Sequence, residues 1–350
     1  MVKTKVAERV KINGSAIQED QDPVHPEYYT TESIEEAVSL LGKYGRTAKI
    51  LAGGLDVISL LKRETLPTTP AALISISRIP GLDSISKSES SFMLGATTKL
   101  SSLERSGPIR EYYPMLATAS SAIGGPQVRN MGTVVGNICQ DVRCLYYRRP
   151  KLTGTDFHCR RKTPEGECYA LCGENKEHVI FPGGECAAPC VSDMAVALTA
   201  YDARLRITGS SGGRSIIVPE LFTPLGKSLC PDEIITSVEL PAPGEHVITS
   251  FIKFRIRNAI DFAIVSVAAV IGIEDNLICN ARIVVGGVAY MPYRDYDAEQ
   301  FLIGKPLNEK IAAEAAEILT AKAKPLEKNA HKVQITRALV RRAILGQKDA

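Results

Sequence analysis

Residues 123–138 read IGGPQVRNMGTVVGNI, and the segment that follows, 139–190, holds seven of the chain's nine cysteines. Glycines set beside a threonine and an asparagine let backbone N–H groups approach an anionic ligand that bulkier residues would hold off. The run reads as the loop at the end of a strand, a place suited to an anionic redox cofactor. Thiols at this density point to a metal. A cofactor loop leading into a metal-ordered insertion is therefore the feature that the rest of the chain has to accommodate.

The 350 residues, 45% hydrophobic and 23% charged, suffice for a packed core and for two or three domains. Basic residues number 42 and acidic ones 39, a net charge of +3 that argues for neither nucleic acid nor membrane as the main partner. The opening MVKTKVAERVKING is charged throughout, and the longest apolar run, 262–273, is too short to span a bilayer. The chain is expected in the cytoplasm. Disulfides are rare there, so clustered cysteines favour metal or redox chemistry over crosslinks.

Outward from the glycine run, the chain starts with a polar arm, 1–27, that ends in DPVHPE. Ser33 and Glu36 form a capping box for a helix with Ile34, Ala37, Val38, Leu41 and Tyr44 on one face. A strand at 50–52, the Gly53-Gly54 turn and a helix over 55–63 aim free N–H groups and the positive end of a helix dipole at one point. A diphosphate can sit there, although a glycine pair after a strand is more often only a turn. Next come a strand over 71–79, a hairpin, and helices near Ser101 and over 109–122. Segment 139–190 shows neither period, and so long an irregular stretch needs an external constraint to be ordered. Residues 192–207 form a helix running into a strand, 232–241 a further strand, and 241–244 (PAPG) a domain boundary. Beyond it, strands over 251–258, 262–273 and 277–289 make an antiparallel meander, followed by helices over 309–323 and 329–345. Arg337, Arg341, Arg342 and Lys348 suit the C-terminal end of the last helix.

The clustered cysteines are Cys139, Cys144, Cys159, Cys168, Cys172, Cys186 and Cys190. Their wide spacing matches neither a bacterial ferredoxin run nor a zinc ribbon, so it does not name the metal. His158 is the one histidine beside a cysteine, which favours an all-thiolate site and leaves zinc and iron–sulfur both open. Arg143, Arg148, Arg149, Arg160, Arg161 and Lys162 crowd the same segment. They read either as cations stabilising an anionic cluster or as an ordinary solvated loop. Cys230 and Cys279, far off in sequence, read as inert core residues.

Four blocks, 51–62 (LAGGLDVISLLK), 123–138, 192–198 (SDMAVAL) and 251–268 (FIKFRIRNAIDFAIVSVA), stand in the order seen in one family. In these the chain resembles, from about residue 25 onward, the FAD-binding medium subunit of the molybdenum hydroxylases, the xanthine dehydrogenase and carbon monoxide dehydrogenase group. The cysteine segment resembles the beta subunit of 4-hydroxybenzoyl-CoA reductase, whose branch carries an extra [4Fe-4S] cluster. A related insertion occurs in some bacterial aldehyde oxidoreductases. The resemblance implies an α+β fold: a two-subdomain FAD-binding domain of the PCMH (vanillyl-alcohol-oxidase-like) type, then a small C-terminal antiparallel sheet with helices. The domains would be 28–240, divided into 28–95 and 96–240 with the insertion 139–190, and 245–350.

Carried over residue by residue, the resemblance gives FAD one loop of Leu51, Ala52, Gly53, Gly54, Leu55, Asp56, Val57 and Ile58, which would hold the diphosphate. Thr133, Val134, Val135, Gly136 and Asn137 would form the second loop, with Ile123 beside it. Asp193 would bond the adenosine ribose, Lys253 would approach the flavin ring, and Ile235 would pack nearby. Leu55 stands where a small polar residue is common, and Val135 replaces a usual glycine, narrowing the room beside the isoalloxazine. The cluster would take Cys144, Cys159, Cys168 and Cys186, with Cys172 and Cys190 as alternates for the last two. Implied partners are a [2Fe-2S] small subunit, a molybdenum-cofactor large subunit where the substrate would bind, and an external carrier such as ferredoxin. Two readings stand against this one: a stand-alone FAD oxidoreductase using Lys253 or Asp261 on a bound substrate, and a structural zinc module without flavin.

Overall fold

A computed structural model describes residues 26–88, 91–149, 157–244 and 246–347. Residues 1–25 of the expected arm, and Lys348, lie outside the described residues.

The first unit is β1 (Glu27–Thr30), α1 (Ile34–Tyr44), β2 (Ala48–Leu51), α2 (Leu55–Lys62) and β3 (Ala72–Ser75), with a parallel sheet in the order β1-β3-β2. The Ser33 hydroxyl accepts from the Glu36 N–H at 3.1 Å, and the Glu36 carboxylate accepts from the Glu32 N–H, one residue before the expected reciprocal partner. α1 buries Ala37, Val38, Leu40 and Leu41 against Ala72 and Ile74 of the central strand. β3 is shorter than the 71–79 pattern because the chain turns through Ile76 and Ile79 ahead of Pro80.

The second unit starts with the hairpin β4 (Ile85–Lys87) and β5 (Ser91–Gly95), then α3 (Leu100–Arg105). The helix expected over 109–122 is broken into α4 (Gly107–Tyr112) and α5 (Pro114–Ser121). Pro114 has no N–H to continue α4 and opens α5 instead. No strand leads into the glycine run. It follows α5 and folds as two short helices, α6 (Pro126–Met131) and α7 (Val134–Cys139). After the insertion come α8 (Asp193–Ala200), β6 (Arg204–Gly209), β7 (Gly212–Ile217), the small hairpin β8 (Phe222–Thr223) and β9 (Gly226–Lys227), and β10 (Ile234–Pro241). The sheet runs β4-β5-β10-β6-β7. Since β5 pairs with β10, the hairpin that a division at 95 assigns to the first subdomain belongs to the second sheet. Every residue of α8 is buried, as an apolar-all-round DMAVALTA requires.

The third unit is the meander β11 (Val247–Phe254), β12 (Val265–Glu274), β13 (Leu277–Gly286), edged by β14 (Tyr293–Arg294), with α9 (Tyr296–Leu302), α10 (Glu309–Ala321) and α11 (His331–Ile344). α11 packs on one side of the meander and α8 on the other. β12 is therefore buried on both faces, and its run VSVAAVIG is apolar without alternation. Each fully buried Val or Ile there contributes about 1.5–3 kcal/mol. Cys230 and Cys279 are exposed, not core residues: Cys279 lies in the exposed start of β13, between buried Ile278 and exposed Asn280, and Cys230 lies in a loop.

Candidate cofactor cleft and thiol cluster

A cleft of about 860 Å3 opens where the three units meet, in the size range of cofactor sites. Its walls are the β2–α2 loop, α6–α7, the β8–β9 hairpin, β10 and the end of β11. Glycine is required where the two loops touch: a Cβ on Gly53 would stand 2.2 Å from the Met131 carbonyl oxygen. Gly54, at φ +75°, is the side-chain-free cap of α2, so the first N–H groups of that helix have no intrahelical partner and face the cleft. Thr133 caps α7, its hydroxyl accepting from the Gly136 N–H at 3.1 Å, and a Cβ on Gly136 would crowd that hydroxyl at 2.5 Å. These glycines thus bring the two loops together as well as baring their backbone.

Of the expected FAD residues, Ala52, Gly53, Gly54, Leu55, Asp56, Val57, Ile123, Thr133, Val135, Gly136, Asn137, Asp193, Ile235 and Lys253 line the cleft. Leu51, Ile58 and Val134 do not. Several of the polar side chains are committed within the protein. Asp56 accepts from Arg143 at 2.7 Å, Arg148 at 2.8 Å and the Asp141 N–H at 2.8 Å, which ties α2 to the insertion. Asn137 Oδ1 accepts from the Ser192 hydroxyl at 2.7 Å and binds α7 to α8. Asp193 and Lys253 form an ion pair at 2.6 Å, their side chains 5% and 2% exposed, with Lys253 also donating to the Ala122 carbonyl at 2.9 Å. The residues expected at the ribose and at the ring are thus bonded to each other.

Cys144, Cys159, Cys168 and Cys186 line a second, small hollow with Tyr146, Tyr147 and Arg161. Cys172 is exposed, while Cys139 and Cys190 line the large cleft. Burial pushes the Cys144 thiol up to about 11; it raises Cys186 as well, with Arg161 pulling the other way. Among the described residues no three His, Cys, Asp or Glu side chains are grouped closely enough to hold a single metal ion. His158 is exposed. Sequence reasoning missed His178, which is buried with its Nε2 3.3 Å from the Cys144 sulfur. Burial, aided by the Lys332 charge, pushes its pKa down to about 4. No ligand spacing relates the two, so nothing local could have found the pair.

Three arginines of the insertion are tied into the protein, and one of them, Arg161, also stands beside the thiols. Arg143 and Arg148 hold Asp56, and Arg161 holds Asp141 at 3.0 Å and the Pro224 carbonyl at 2.9 Å; Arg160 makes an exposed pair with Glu185. Burial works to raise the Asp141 pKa, but Arg161, the Tyr147 hydroxyl and the Val142 N–H together hold it below the ordinary carboxylate value. The far end of the insertion is clamped to the third unit. Asn175 accepts from the Lys328 N–H, Asn329 donates to the His178 and Val179 carbonyls, and Lys332 donates to the His178 and Gly287 carbonyls.

Glycine loops at a dinucleotide-sized cleft, on a two-sheet scaffold with an appended meander, make a binding site for a dinucleotide cofactor. Residues 21–243 match the FAD binding domain in molybdopterin dehydrogenase, and 250–346 match the CO dehydrogenase flavoprotein C-terminal domain. The chain belongs to the FAD-binding medium subunits of the molybdenum hydroxylase family. It is 34% identical over 258 residues, 71% of this chain and 76% of the relative, to the aldehyde oxidoreductase FAD-binding subunit PaoB of Escherichia coli. It is 26% identical to the carbon monoxide dehydrogenase medium chain of Hydrogenophaga pseudoflava, across 87% of this chain and 89% of that one. A solved structure of the Hydrogenophaga pseudoflava carbon monoxide dehydrogenase, lacking the Mo-pyranopterin moiety of its cofactor, superposes with a TM-score of 0.73 at 25% identity, covering 93% of this chain and 97% of that one. No described helix is long and apolar enough to cross a membrane.

Proposed function

We propose that this chain is the flavin and iron–sulfur electron-transfer subunit of a molybdenum-containing complex, working between an external carrier such as ferredoxin and partner subunits with a [2Fe-2S] cluster and the molybdenum cofactor. One observation carries the reading: of the seven cysteines of the segment, Cys144, Cys159, Cys168 and Cys186 gather around one hollow adjoining the FAD cleft, with Tyr147 and Arg161 common to both walls. Four thiols are the donor set of a [4Fe-4S] cluster, and Arg161, which works against burial to favour the Cys186 thiolate, suits the charge of a thiolate-bound metal. The hollow measures about 20 Å3, so the thiol side chains would have to turn outward on loading.

When bound, FAD exchanges electrons in pairs or singly and so couples two-electron chemistry to one-electron clusters. The chain's own residues bind and orient. The first-turn N–H groups of α2, bared by Gly53 and Gly54, face the diphosphate. Ile123 and Ile235 supply apolar wall, and the β8–β9 hairpin shields the cleft from water. The Asp193–Lys253 pair fixes α8 against β11, holding that wall in place.

Identity to an aldehyde oxidoreductase subunit favours an aldehyde-oxidising complex, with electrons leaving through this chain. Reductive dehydroxylation of an aromatic acyl-CoA, with flow in the opposite direction, is the second reading, and it rests on the cysteine segment alone. The test is anaerobic purification followed by absorption spectroscopy with flavin, iron and zinc assays. A flavin band with about four irons per chain is expected. Flavin without iron removes the cluster from the reading, and zinc in place of iron replaces it by a structural metal.

A further inference from the structure

Lys227 ends β9 and lines the cofactor cleft, its ammonium 3.7 Å from the centroid of the Phe222 ring. The other lysines and arginines near it in and behind the cleft wall have acceptors: Lys253 has Asp193 and the Ala122 carbonyl, Arg143 and Arg148 share Asp56, and Arg161 has Asp141. Among the described residues no carboxylate or carbonyl accepts from Lys227. The groups that face it are the thiols of half-buried Cys139 and buried Cys190, and Asp141, whose oxygens already accept from Arg161, Tyr147 and the Val142 N–H. Burial lowers the Lys227 pKa, and the charge of Arg161 works in the same direction.

A half-buried ammonium in the cleft wall with no protein acceptor is completed when an anion fills the space in front of it. The hairpin that carries Lys227 is pinned on both sides. Arg161 bonds the hairpin at the Pro224 carbonyl, and the Ser228 N–H donates to the Leu221 carbonyl at 2.8 Å. We propose that Lys227 is a positioning residue that donates to an anionic group of the bound FAD. That group is either the diphosphate or the pyrimidine edge of the ring, which gains negative charge on reduction. The inference rests on FAD filling the cleft.

The test compares K227M and K227R with the wild-type chain in its complex, by equilibrium dialysis against FAD and against ADP, which has the diphosphate but no ring, and by spectroscopic redox titration. K227M should bind FAD about 10- to 100-fold more weakly, the worth of one charge-assisted hydrogen bond. K227R should stay within about threefold of wild type, since it keeps the charge. Loss of ADP affinity with an unchanged flavin potential assigns the contact to the diphosphate. A lowered potential with ADP affinity intact assigns it to the ring. Folded K227M with wild-type affinities and potential overturns the proposal. Should K227M fail to fold, amine acylation of the wild-type chain decides: FAD should slow labelling of Lys227, and equal rates with and without FAD overturn it. A wild-type chain that binds no flavin instead overturns the FAD reading itself.

Discussion

The carboxylate of Asp193 and the ammonium of Lys253 sit 2.6 Å apart, almost wholly out of water, joining the first turn of α8 to β11 across sixty residues of sequence. Removing one partner of such a pair leaves a buried charge uncompensated. Lys253→Met should therefore cost about 3–5 kcal/mol in denaturant unfolding. The double variant with Asp193→Asn should recover part of that loss. Equal destabilisation in the single and double variants would show that the pair is not what joins the two units.

Asp56 is expected to act through the insertion and not on the cofactor. Asp56→Ala releases Arg143 and Arg148, each a charge-assisted hydrogen bond worth about 1.5–3 kcal/mol. Hydrogen exchange should accelerate first at 141–149, with α11 unaffected. Faster exchange confined to α2 would contradict this account.

Cys144→Ser should lower iron content while FAD remains bound, because the hollow and the cleft have largely separate walls. Cys172→Ser should change neither, since that thiol is exposed and outside the hollow. Loss of both cofactors from Cys144→Ser would mean that the metal also holds the cleft together.

Lys332 is buried, and burial pushes its pKa down to about 8 from the ordinary 10.5. Between these values the unfolded chain holds a proton that the native chain has released. Its contribution is therefore complete above about pH 10.5 and is lost as pH falls toward 8. Lys332→Met should remove this pH dependence, which amounts to about 3 kcal/mol at most. Stability curves that stay parallel across that window would rule it out.

The amino-acid sequence alone determined those elements whose cause is local. The capping box before α1, the apolar spacing of α10 and α11, the unbroken run of β12 and the Gly53-Gly54 turn are each encoded within a few residues, where hydrogen bonding and burial act directly on neighbours. The resemblance of four ordered blocks supplied the two glycine loops of the cleft, because loops that must approach one another closely tolerate few residues. Only the tertiary structure decided that Cys168 and Cys186, and not their alternates, share the hollow with Cys144 and Cys159, that Asp56 serves the insertion, that Asp193 and Lys253 are one pair, and that His178 and Lys227 face these sites. Such contacts join residues tens to more than a hundred positions apart. Side-chain spacing along one helix or strand carries no trace of them, because the free energy that selects them arises only when separate units pack and desolvate the same charges together.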